Sequence, residues 1–182
     1  MALSGTADAA GASDAMLANT CAGCHGTNGV SGGPAIPSIA GMKKEILFSM
    51  MQQFKDQSRP STIMGRIAKG YSEGELHQIA AFFEKQKWVN TTAATDAAMA
   101  AKGAKLHKSK KCKGCHEENG ATQDSEENMF RMAGQWPGSL YLMMKNYQAH
   151  DYPNAPKKMI KRLKKLSDAD LHALANFYAS QK

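Results

Sequence analysis

Several protein classes are excluded by what this 182-residue chain has little of. It holds only four cysteines and aromatics make up 7%, so it is neither a disulfide-dense scaffold nor a chain with many large rings for its core. No run of 18 apolar residues occurs, so no stretch reads as a membrane-spanning helix. No G-x-G-x-x-G is present, which removes the usual phosphate turn of a dinucleotide-binding fold. The net charge is +7 and the pI about 9.2, yet there is no arginine-rich tract or nucleic-acid motif. The basic balance is therefore not read as a nucleic-acid footprint. The opening Met1-Ala2-Leu3-Ser4-Gly5 lacks the basic start and apolar core of an export leader.

What is present is one pentapeptide, twice. Cys21-Ala22-Gly23-Cys24-His25 is followed 91 positions on by Cys112-Lys113-Gly114-Cys115-His116, and these motifs use all four cysteines. C-x-x-C-H is the attachment signature of c-type haem. Two thiols three positions apart reach the two vinyl groups on one porphyrin edge and form thioethers. The adjacent histidine then lies under the iron as an axial ligand. A disulfide framework leaves His25 and His116 unexplained. A zinc site of two distant Cys pairs does not account for a histidine directly after each. Two covalent haems c are therefore expected, with Cys21, Cys24, Cys112 and Cys115 as attachment points and His25 and His116 as iron ligands. Such haem is attached outside the bacterial cytoplasm, so the expectation is a processed, periplasmic chain.

Each half has about 90 residues, a length whose modest core a covalent haem would complete. Residues 1–91 hold 8 basic and 7 acidic residues, and residues 92–182 hold 15 and 9. The periodicity predicts helices in one order, twice. In the first half they cover 13–20 (Ser13 as cap, Met16 and Leu17 inward), 44–56 (Leu47, Met50, Met51 and Phe54) and 72–87, which opens on the capping box Ser72-Glu73-Gly74-Glu75. The second half gives 96–108, 138–149 (Leu140, Met143, Met144 and Tyr147) and a last helix capped by Ser167. Residues 1–12 read as a loose terminus and 88–95 as a linker. Residues 26–41, 57–70 and 117–129, and a segment with Pro153 and Pro156, read as loops. Laid over 159–182 without a gap, residues 64–87 match at 9 of 24 positions. The chain is thus read as a tandem duplication of one helical unit.

The second axial ligand sets the job of each iron. An open face allows catalysis, and a Met/His pair gives electron transfer at raised potential. Met50, Met51, Met143 and Met144 sit at helical spacing and read as core filling. Met64 and Met159 fall in segments read as loops, which can carry a thioether across the far haem face, so they are the expected sixth ligands. His77 and His172 repeat as well and read as surface or boundary residues; His107 and His150 receive no role. In small c-type cytochromes, a proline at the place of Pro37 offers its carbonyl to the ligand histidine. Phe130 holds the matching place in the second half, so there the device is missing or altered.

Pro37-Ser38-Ile39-Ala40-Gly41 and Met132-Ala133-Gly134-Gln135 resemble stretches of the dihaem cytochrome c4 family. Residues 61–72 resemble the first methionine loop of the dihaem cytochrome subunit of flavocytochrome c sulfide dehydrogenase, as do Ala133-Gly134-Gln135-Trp136 and Phe177-Tyr178-Ala179-Ser180-Gln181. The resemblance implies an all-α fold of two tandem class I cytochrome c domains, 1–90 and 91–182, each wrapped round its haem. It also implies an electron-transfer subunit without catalytic residues of its own, paired with a flavoprotein. That partner carries the FAD, oxidises sulfide and hands over electrons for an external acceptor. The alternatives are a free-standing c4-like carrier and a dihaem peroxidase. The two methionine segments argue against the peroxidase.

Overall fold

The computed structural model describes residues 12–127, 129–150 and 157–182. The terminus expected to be loose, up to residue 11, and Pro153 and Pro156 lie outside the described residues. In the first half, α1 (Asp14–Asn19), α2 (Ala22–His25), α3 (Lys44–Lys55), α4 (Met64–Ala68) and α5 (Glu73–Glu84) follow one another. The second half gives α6 (Ala97–Ser109), α7 (Lys113–His116), α8 (Pro137–Ala149), α9 (Lys157–Leu163) and α10 (Asp168–Ser180). Among the described residues the only extended pairing is an isolated bridge between Asp124 and Met129.

The caps explain where the helices start. Ser13, Ser72, Asp96 and Ser167 each accept a bond from a first-turn amide. At Ser72 and Ser167 the third helical residue, Glu75 or Asp170, returns the bond, so both capping boxes are closed. Met16 does not point inward: it is 65% exposed, whereas Leu17 is buried. Successive helical residues are rotated by about 100°, and in this six-residue helix Leu17 and Ala18 take the inner face. Helix α5 also stops at Glu84, short of Lys87, because the Phe83 carbonyl is taken by the amides of Gly41 and Gln86. Met64 and Met159 lie in short helices, not in loops. The Ser61 hydroxyl accepts from the Gly65 amide at 2.8 Å in the first turn of α4. In α9, Ile160 and Leu163 are buried three residues apart.

The two halves pack alike. Helix α5 lies on α1 and α3 while α4 lies on α3; α10 lies on α6 and α8 while α9 lies on α8. One core joins Leu17, Ile46, Leu47, Leu76, Ile79 and Phe83, and the other joins Leu140, Tyr147, Leu163, Leu171, Leu174 and Tyr178. The repeat extends to single hydrogen bonds. The Gly29 carbonyl accepts from the Ile39 and Ala40 amides, and the Gly120 carbonyl from Met132 and Ala133; Gly41 donates to Phe83 and Gly134 to Tyr178. Gly103 lets α6 and α10 touch, since a Cβ there would lie 2.1 Å from the Ala173 carbonyl oxygen.

The halves are joined by more than the connecting segment. Trp136 Nε1 donates to the Ser31 carbonyl at 2.9 Å. Gln123 accepts from the Lys43 amide at 3.1 Å and donates to the Gly41 carbonyl at 2.9 Å. Phe130 packs against both cores.

Candidate haem-binding sites

Each C-x-x-C-H forms a single helical turn. The amides of Cys24 and His25 both return to the Cys21 carbonyl, and those of Cys115 and His116 to Cys112. This turn sets both thiols on one side with the histidine one step on. Burial pushes the Cys21 and Cys112 thiols up. All four cysteines are free. Among the described residues no three His, Cys, Asp or Glu side chains converge as a metal site. Neither a disulfide framework nor a zinc site fits this arrangement.

In the first half, His25 Nδ1 donates to the Pro37 carbonyl at 2.8 Å, the bond expected from the sequence. Burial lowers the His25 pKa, and the Pro37 bond partly offsets that. The ring is thus neutral with its proton on Nδ1, leaving the Nε2 lone pair for a metal. Met64, partly buried, and Cys21 pack against the same core. 

The second half differs. Burial, with His107 and the Arg162 charge nearby, lowers the His116 pKa to about 4. Among the described residues its side chain makes no hydrogen bond. Phe130, at the place of Pro37, packs into the contact between the halves. A cavity of about 480 Å³ opens here, walled by Cys112, Cys115 and His116 and by apolar side chains including Met144, Leu174 and Tyr178; Met159 shares the lining. Its size is that of a cofactor site, and Lys157, Lys158 and Arg162 at its edge supply cations that match carboxylates on the rim of a macrocycle. Shape, apolar lining and paired thiols fit a covalent haem. Met129, Met132 and Met144 line the cavity too. Met132 matches Ile39 at the Gly120 and Gly29 turns. Met144 matches Met51 and Met159 matches Met64, but Met144 and Met51 are buried among the core side chains of α8 and α3, whereas Met159 and Met64 are only partly buried.

Residues 100–182 match the family described as Cytochrome c. Over that stretch the chain belongs to the cytochrome c family, whose members carry covalent haem c. The first half repeats the same motif and the same helix packing. A cytochrome subunit of sulfide dehydrogenase from Chlorobaculum tepidum is 50% identical over 68 residues, which span 37% of this chain and 61% of that protein. The match thus covers less than two thirds of that relative's length. Cytochrome c4 from Stutzerimonas stutzeri is 29% identical over 97% of this chain and 92% of its own length. The structure of reduced recombinant cytochrome c4 from Pseudomonas stutzeri superposes with a TM-score of 0.80 at 24% identity, covering 94% of this chain and all of that one. The all-α, two-domain architecture expected of this cytochrome is therefore the one it has.

Some residues of the site were not anticipated. His107 is 1% exposed. Its Nε2 donates to the Glu117 carbonyl at 2.6 Å, and its Nδ1 accepts from the Tyr178 hydroxyl at 2.9 Å. It props the turn that carries His116, and its place on the α6 face just before the motif was the available signal. His77 and His172 are exposed, as expected, but each stacks on a ring: Phe48 at 3.6 Å and Tyr141 at 4.0 Å between centroids.

Proposed function

We propose that this cytochrome carries two haems c, ligated by His25 with Met64 and by His116 with Met159. Cys21, Cys24, Cys112 and Cys115 form the thioethers, and a domain boundary falls near residue 90. It serves as the electron-transfer subunit of a sulfide-oxidising flavocytochrome. Electrons come from a flavoprotein subunit that holds FAD and leave to an external acceptor, in the periplasm. The observation that carries this reading is the 50% identity over 68 residues with a cytochrome subunit of sulfide dehydrogenase. No helix among the described residues is long and apolar enough to cross a membrane.

A second reading, a free-standing c4-like carrier, is favoured by the similarity to cytochrome c4 over 97% of the chain. Both readings use the same haems and differ in the partner. Purification of the native protein from its source decides between them. A flavin-containing subunit that stays bound through ion exchange and gel filtration supports the flavocytochrome. A dihaem protein that elutes alone at about 20 kDa, near its chain mass of 19.6 kDa, and accepts electrons from no flavoprotein overturns it.

A further inference from the structure

Gln135 is 1% exposed, and its amide is committed to the opposite half of the molecule. Its Oε1 accepts from the Ser38 amide at 2.9 Å and from the Trp136 amide at 3.1 Å. Its Nε2 donates to the Ser38 carbonyl at 2.9 Å. The reverse orientation would face donor to donor at two amides and acceptor to acceptor at one carbonyl, so the network fixes the side chain. The Ser38 amide and the Pro37 carbonyl belong to one peptide group. That group therefore accepts from His25 Nδ1 on one side and donates to Gln135 on the other.

A peptide whose N–H is engaged by a good acceptor holds more negative charge on its oxygen, and buried hydrogen bonds in series strengthen one another. A stronger bond at Nδ1 makes the imidazole a better electron donor through Nε2 and fixes its ring. Ligand basicity and hydrogen bonding around it are among the levers on a haem potential. The second half lacks the matching chain: Phe130 replaces Pro37, Met42 stands where the repeat would place a counterpart of Gln135, and His116 makes no such bond among the described residues.

We propose that Gln135, supplied by the second half, is a positioning residue for His25. It acts through the Pro37–Ser38 peptide to hold the first haem's potential down. The inference rests on His25 being that haem's axial ligand. Loss of a hydrogen bond of ordinary strength changes an equilibrium constant by about two- to tenfold.

The test compares Gln135→Leu with Gln123→Ala in the holoprotein by spectroelectrochemical titration. The Gln123 variant breaks another tie between the halves and spares the Pro37–Ser38 peptide. Gln135→Leu should raise the reduction equilibrium constant of the first haem by up to about tenfold, a shift of about 59 mV for one electron, and leave the second in place. Gln123→Ala should leave both in place. If Gln135→Leu does not fold, the shorter Gln135→Asn withdraws the same contact with the same expected shift. The His25 Nδ1–H and Ser38 amide resonances, read by NMR, should lose protection from exchange together. Equal shifts in the Gln135 and Gln123 variants, or an unmoved first haem once the Ser38 amide exchanges freely, overturn the proposal. Absence of histidine ligation in the unaltered protein would overturn the site assignment itself, a separate failure visible before any variant is made.

Discussion

The His107 imidazole and the Tyr178 hydroxyl meet at 2.9 Å beneath the second cysteine motif, joining α6 to α10 at the point where the chain turns into Cys112. Both groups are buried, and the Tyr178 phenol is pushed upward by that burial. His107→Leu strands the Tyr178 hydroxyl and the Glu117 carbonyl, a loss of about 1–3 kcal/mol per stranded group. Tyr178→Phe leaves His107 its bond to Glu117 and should cost less. Urea denaturation of both variants, followed at the haem, checks the order.

Met64→Ala and Met159→Ala should each remove half of the near-infrared Met-to-ferric-iron absorption band. The repeat pairs these two methionines, and Met159 lines the cavity with His116. A variant that keeps the full band removes its methionine from the ligand set; Met144 and Met132 would then be the next to substitute.

The first haem should be reduced at the lower potential. His25 donates to the Pro37 carbonyl at 2.8 Å, and such a bond favours the ferric state. The second site instead lies beside Arg162, whose charge already lowers the His116 pKa and likewise disfavours a ferric centre. A two-component titration, with each component assigned through the methionine variants, checks the order. Electrons entering at the first haem would then run downhill to the second.

Around the second cysteine motif the basic residues form one patch. Arg162 donates to the Lys111 carbonyl at 2.9 Å, which joins the segment 108–113 to α9, and exposed Lys157 and Lys158 edge the cavity. Reversing Lys110, Lys111, Lys157 and Lys158 to Glu should slow reduction of an acidic acceptor and flatten its salt dependence. Stopped-flow rates across ionic strength measure this, and flavin-to-haem transfer should not change. Release of a flavoprotein by the same variant would reverse the assignment of the two faces.

Ser72→Ala should lower the stability of the first half by about 1 kcal/mol, because it opens the box with Glu75. Thermal melts of this variant and of Ser167→Ala should show similar losses, one in each half.

The helices and their starts were legible because caps and apolar spacing are local. Ser72, Ser167 and the stripe Leu47, Met50, Met51 wrote α3, α5 and α10 into the sequence, and the cysteine motifs wrote the sites. Pro37 was legible because small c-type cytochromes place a proline carbonyl there for the ligand histidine. The short helices at Met64 and Met159 were not, since Pro60, Gly65 and the prolines before Lys157 carry loop chemistry, and helices of five and seven residues are too short for a period to stand out. Met16 misled because one inner face of a short helix holds two residues, not three. Gln135 was invisible, and His107 was readable only by its place before the motif, for another reason. A polar residue matched to partners 97 and 71 positions away looks, in sequence, like any polar residue.

The approach of Gly33 to Trp136 has a mechanical consequence. A Cβ at Gly33 would lie 2.3 Å from the indole, so the two halves meet there with no room to slide, while Gln123 and Gln135 hold the chain on either side. Such a joint resists the sliding of one half on the other that solvent would drag on. Transfer between the haems should therefore proceed at one rate in water and in glycerol, with viscosity acting only on encounters with other molecules.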